Sequence, residues 1–183
     1  RPIDRNELLA RTKTQIKRKR YSDRLRQNLQ MSLEAAITDQ LTGLSTEQLI
    51  AIETRDILAF TSTQLNTMAT EQIAAFTTAQ VVAFTTQQLS SLDVDLLASM
   101  TTEQIEALST RQLHSLTTGQ ISALTTEQIT AIESGDLYAF TSAQIQAITP
   151  DQIQALTTDQ IVGLTRQHIT AMTTEQVAAL QSD

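Results

Sequence analysis

The chain has 183 residues, of which 3% are aromatic and 18% charged, with no Cys, no Trp and a formal net charge of −7. The lack of Cys excludes disulfide frameworks, thiolate metal sites and cysteine nucleophiles, and an apolar content drawn mostly from Ile, Leu and Ala suits a thin, repetitive core. The charge is divided sharply: residues 1–30 hold ten Lys/Arg against three Asp/Glu, and residues 31–183 hold three against 17. No apolar run approaches the roughly 20 residues of a membrane helix and no signal-peptide pattern is present, which predicts a cytoplasmic chain without a membrane span.

Residues 1–36 predict a basic helical segment, with Tyr21, Leu25, Leu29 and Leu33 at i, i+4 spacing along one face. Such a face makes self-association through this helix an expectation. The run Lys17-Arg18-Lys19-Arg20 forms a basic patch. With Tyr21 as the one aromatic beside it, the run reads as a solvated helix face, or one that pairs with the acidic repeats or a protein partner. No nucleic-acid partner is expected.

Two stretches of this segment carry a resemblance. RPIDRNELLAR (1–11) resembles the end of a response-regulator receiver domain, and KTQIKRKRYSDRLRQNLQMSLEAAITDQLTGL (13–44) resembles the linker helix entering a diguanylate cyclase domain. The likeness is to receiver–diguanylate cyclase regulators of the PleD type. There, Asp-x-Leu-Thr-x-Leu opens the cyclase domain, and Asp39, Leu41, Thr42 and Leu44 match it. The family continues with Asn-Arg-Arg where this chain reads Ser45-Thr46-Glu47, and the likeness stops. The cyclase signature Gly-Gly-Asp/Glu-Glu-Phe is missing, since Gly43, Gly119, Gly135 and Gly163 are all isolated. The resemblance therefore implies a signalling-linker helix and carries over neither phosphorylation nor cyclic-dinucleotide synthesis. A truncated or recombined fragment of such a regulator is the alternative functional reading.

From Ser45 to Leu180 the chain divides into 17 octads without an insertion, resembling bacterial octapeptide-repeat arrays; the text of residues 37–44 already fits the same frame, so the array is placed at 37–180 with a tail at 181–183. Let the positions be a to h, with Thr101 at a and Leu108 at h. Position e is always Ile, Leu or Val, and h is always Leu, Ile, Phe or Met. Position g is small, d is Gln in 13 octads, and a is Ser or Thr in 13. One continuous helix is excluded, because eight residues at 100° each advance an apolar stripe by about 80° per repeat. A β-solenoid is the alternative fold, since an even period preserves side-chain orientation. Against it, g and h would face opposite ways, and the chain has only four Gly and two Pro for corners.

A short helix explains each position. Ser/Thr at a with Gln at d is the capping box, and the apolar h and e residues flanking it are the two halves of a hydrophobic staple. Position b is then the first helical residue, which tolerates Pro150. Acids collect at c, where the helix dipole favours them. Units this short are marginal alone, so the expectation is an all-α solenoid in which stacked octads bury e and h.

Three octads depart, with Glu53, Asp93 and Glu133 at a, 40 residues apart. Either a 40-residue block was duplicated, or five octads complete one superhelical turn and align the acids, or three variants coincide by chance. As a ridge with Asp95, these acids are a weak candidate for a cation; acids at a cap and first turn account for them more simply. His114 and His168 lie 54 residues apart with no cysteine to help, and read as solvated or capping residues. No Ser/His/Asp arrangement is suggested. Neither enzymatic activity, cofactor nor metal is expected. Function is left to the variable positions c and f; at f, Ile50, Leu58, Val82 and Tyr138 are the candidate contacts for a protein partner on a repeat scaffold.

Overall fold

Each octad folds as one short helix because each carries its own start signal. The computed structural model describes residues 5–181; residues 1–4, in the receiver-like start, and 182–183, in the tail, lie outside the described residues. A long helix α1 (Arg5–Thr42) is followed by 17 helices of four to six residues, from α2 (Thr46–Ile50) to α18 (Thr174–Ala179), one in every octad. No strand occurs among the described residues, so the fold is the all-α repeat solenoid and not its β alternative.

The text of residues 37–42 stays within α1 and does not form a short helix of its own. The reason is local. Position a there is Ile37, which has no hydroxyl to stop one helix and start another, and it follows the strong helix formers Glu34-Ala35-Ala36. The chain divides into two compact units after Gly43.

In the octads the capping boxes form as their residues dictate. The Thr101 hydroxyl accepts from the Gln104 amide at 3.2 Å, and the Gln104 carbonyl oxygen accepts from the Thr101 amide at 2.8 Å. Residue a is extended, with φ of −73° and ψ of 162° at Thr101. Among the described residues no backbone torsion is left-handed. The reversal between helices is made by ordinary extended residues at a, sometimes with h, which is why the array needs almost no glycine. Ala69, lacking a hydroxyl, keeps only the glutamine half of the box, Ala69 amide to Gln72 Oε1 at 2.9 Å.

Position d does a second job that sets the superhelix. The side-chain amide of Gln104 donates to the carbonyl of Phe76 at 2.6 Å and to that of Ile73 at 3.2 Å, 28 and 31 residues earlier. Gln80, Gln88, Gln120, Gln144, Gln160 and Gln176 repeat the pair at the same separations. The short helices also pack on ones three octads away, as in the column α8 (Val94–Ala98), α11 (Thr118–Ala123), α14 (Ser142–Ala147) and α17 (Arg166–Ala171). A superhelical turn therefore takes between three and four octads. That corrects the five-octad alternative: Glu53, Asp93 and Glu133 recur at more than one turn and are not aligned on one side.

Successive turns bury a continuous core. Position e is fully covered from Leu49 to Ile153, and h from Met68 to Leu156. Phe76 and Phe84, adjacent h residues, meet edge to face at 5.4 Å. Burying each such side chain contributes about 1.5–3 kcal/mol, which is what makes helices of five residues persist.

Candidate functional site

Three octads lack a Gln, Ser or Thr at a or d together, and the structure handles each differently. Glu53, Asp93 and Glu133 make no side-chain cap hydrogen bond, so the capping role expected for them is not taken up. In the octad of Asp93, position d is Leu96, and Asn66 from four octads earlier supplies the missing group. Its Oδ1 accepts from the Asp93 amide at 3.0 Å and its Nδ2 donates to the Ser91 carbonyl at 2.8 Å. In the octad of Glu133, Asp136 at d accepts from the Thr110 hydroxyl. Glu53 instead pairs with Arg55 at 2.8 Å on the surface.

His168 stands at a d position and does what glutamine does elsewhere. The ring is buried, Nδ1 accepts from the Thr165 amide at 3.3 Å, and Nε2 lies 2.8 Å from the Phe140 carbonyl. Those two partners assign the neutral tautomer with its proton on Nε2. The capping role expected for histidine is found here, whereas His114 at f is exposed.

The acids at c are ordinary first-turn residues. Glu47, Glu103 and Glu127 are held below the ordinary glutamate range, first by their own backbone amides and then by the hydroxyls of Ser45, Thr101 and Thr125. Among the described residues no three His, Asp or Glu side chains converge as a metal-binding group, so Glu53, Asp93, Asp95 and Glu133 do not gather into a cation site.

The outward face is where side chains are not consumed by the scaffold. Ile50, Leu58, Val82 and Tyr138 are each at least half exposed. Some of the helices that carry them pack on helices with further exposed apolar residues. Leu58 ends α3 (Thr54–Ile57), which packs on α6 (Thr78–Val82) carrying Val82. Eighty residues on, Tyr138 ends α13 (Ser134–Leu137), which packs on α16 (Thr158–Val162) carrying Val162. Val162 is 78% exposed and escapes selection by sequence alone, since only the three-octad packing step brings its helix against that of Tyr138. Ile50 is carried by α2, which packs on α5 (Thr70–Ala74) with Ala74 at the matching position. In α1, Lys17, Arg18, Lys19 and Arg20 are exposed, as are Ile16, Tyr21, Leu25, Leu29 and Met31; the side chain of Leu33 lies outside the described residues. No helix of the described residues is long and apolar enough to cross a membrane.

The ALTTAQ repeat family matches residues 49–86, 97–131 and 129–166, more than half of the chain, and the chain belongs to that family. The six letters of the family's description fall on positions g to d, which are the small residue, the staple, the cap and the glutamine. Over 44 residues, 24% of this chain, it is 73% identical to the Response regulator PleD of Caulobacter vibrioides strain NA1000 / CB15N, and equally to that of strain ATCC 19089 / CIP 103742 / CB 15. Those residues span about a tenth of either relative's length. No solved structure matches the chain.

Proposed function

We propose that the octad array is a non-enzymatic scaffold that presents outward side chains at f to a protein partner in the cytoplasm. The observation that supports this is the exposure of the apolar residues Leu58, Val82, Tyr138 and Val162 on helices that pack on one another, α3 on α6 and α13 on α16. Exposed apolar residues on packed helices are the kind of feature that marks interaction surfaces. A photo-crosslinking side chain at Tyr138 should give a discrete protein adduct in cells, and one at the exposed f residue Ser122 should not. Adding Val162→Asp to the Tyr138 probe should remove the adduct with the helical circular-dichroism spectrum unchanged. An adduct indifferent to Val162→Asp would reject the reading.

A second reading rests on the 73% identity over 44 residues to a response regulator. It takes the basic helix as the linker of a truncated or recombined receiver–cyclase regulator, useful for pairing with a like helix through Tyr21, Leu25 and Leu29. Finding the tryptic peptide Gln27–Arg55 in cells would establish one polypeptide across the junction. Measurable GTP turnover by the chain would overturn the non-enzymatic proposal.

A further inference from the structure

The helix dipole favours acids in a first turn and disfavours cations there. Yet the octads hold three Lys/Arg residues in all, and each stands in a first turn: Arg55 and Arg111 at c, Arg166 at b. They lie 56 and 55 residues apart, which is two superhelical turns each time. The octads between them join the three into one column. The helix of Arg55, α3, packs on α6, which carries Val82. Gln112, beside Arg111, donates to the Val82 carbonyl at 3.2 Å, and Val82 and Arg111 line one surface groove with Thr86 and Ser109. One turn on, Thr110 donates to Asp136 in the octad of Tyr138, and the Phe140 carbonyl of that octad meets His168, in the octad of Arg166, at 2.8 Å. Steps of three, four, three and four octads thus climb one side of the solenoid, past Leu58, Val82 and Tyr138, and that side holds every arginine of the array. The neighbouring column is built the same way: α2 to α5, Gln104 to Ile73, α9 (Thr102–Glu106) to α12 (Thr126–Ala131), Gln160 to Ile129. Each of its octads has an exposed acid at c (Glu47, Glu71, Glu103, Glu127 and Asp159), and none has a Lys or Arg.

We propose that this column binds an acidic, extended segment of a partner protein along the superhelix axis, with carboxylates over Arg111 and Arg166 and an apolar side chain on Tyr138 between them. This partner chemistry rests on the scaffold reading above. Arg55 is already held by Glu53 and Asp56, at 2.8 and 3.7 Å. Arg111 and Arg166 are exposed and, among the described residues, form no ion pair. Between them Asp136 is taken by Thr110, while Glu133 stays exposed and confines a partner's acids to the two ends. Packed helices lie about 8–10 Å apart, so two turns set Arg111 and Arg166 about 16–20 Å from each other. An extended chain covers that distance in about five or six residues. Exposed arginine beside an aromatic and aliphatic side chains is the composition of interface centres. The acidic column alongside repels the same segment, so the charge pattern decides which side the partner takes as well as attracting it.

The test uses the full chain with a photo-crosslinking side chain in place of Tyr138, which reports on the array and not on the basic helix α1. One probe is a fluorescent peptide of about 12 residues with two Glu pairs about six residues apart and Leu between them. The other is its twin with Lys for Glu. The Glu peptide should be captured and the Lys peptide should not. Arg111→Glu with Arg166→Glu should lower capture about tenfold. The circular-dichroism spectrum should stay helical, because c already carries Glu at 47, 71, 103 and 127. Equal capture of the two peptides, preference for the Lys peptide, or capture undiminished in the double variant overturns the proposal. In cells, a Tyr138 adduct unchanged by the same two substitutions overturns the partner's acidity and leaves the scaffold reading standing. That reading fails separately, through an adduct indifferent to Val162→Asp.

Discussion

A glutamine at d takes part in up to four hydrogen bonds, three through its side chain: its own backbone amide donates to the cap hydroxyl, Oε1 takes the cap amide, and Nε2 gives to two carbonyls of the previous turn. Truncating it removes a cap, worth about 1 kcal/mol, and strands buried carbonyls, at about 1–3 kcal/mol. Gln104→Ala should therefore cost about 2–4 kcal/mol in urea unfolding, and Gln48→Ala, with no cross-turn acceptor, about 1 kcal/mol. Equal costs at the two positions would show that the cross-turn bonds contribute little. His168→Gln should hold or raise the melting temperature, because glutamine can shorten the 3.3 Å contact to Thr165 toward the 2.8–3.0 Å found elsewhere. The acids at c give a pH dependence whose sign is fixed. Their folded-state pKa values are depressed, so their contribution is present above the ordinary glutamate range and is lost as pH falls through the folded values. Glu→Gln at 47, 103 and 127 together should lower the urea midpoint at pH 7, and the difference from the parent should shrink as pH falls through the folded values. Of these roles the cap was legible in the residue pattern, since partner and donor lie three residues apart. The reach over 28 residues was not, because it depends on superhelical pitch, which no octad encodes alone.

A helix of five residues, renewed every eight, places each position in a fixed environment. Position b is the first helical residue, its amide is not needed by the preceding turn, and Pro150 occupies it without disturbance. Thr126→Pro should thus change stability by no more than about 0.5–1 kcal/mol, whereas Gln128→Pro, two residues on, should cost about 3 kcal/mol or more. Thermal melts of the two variants decide the matter. The inward direction of e and h could be read from the staple pattern, and the structure bears it out for e from Leu49 to Ile153 and for h from Met68 to Leu156. The departures could not be read. That Asn66 replaces the glutamine missing at Leu96 requires knowing that octads four apart touch. The persistence of α1 through Thr42 turns on one missing hydroxyl at Ile37, easily overlooked beside an otherwise good match of residues 37–44 to the frame.

The solenoid keeps its phase only if octads remain whole, because every cross-turn bond counts octads. Deleting residues 101–108 leaves each remaining d residue in register with a carbonyl four octads back, and should retain a cooperative melt at reduced temperature. Deleting residues 101–104 puts the two halves out of phase and should abolish cooperativity in the same assay. The geometry also resembles an ordinary α-helix written in larger letters: units bond to the fourth unit before them, with between three and four units per turn. Helix–coil behaviour then follows, in which closing the first turn is costly and each later unit adds on favourably. Four octads can be ordered without a single such bond; the fifth closes the first. Forty residues is thus the critical nucleus for growth, and it equals the spacing of Glu53, Asp93 and Glu133. An array that already holds its nucleus can then lengthen by any whole number of octads, each new one finding its partner four octads back.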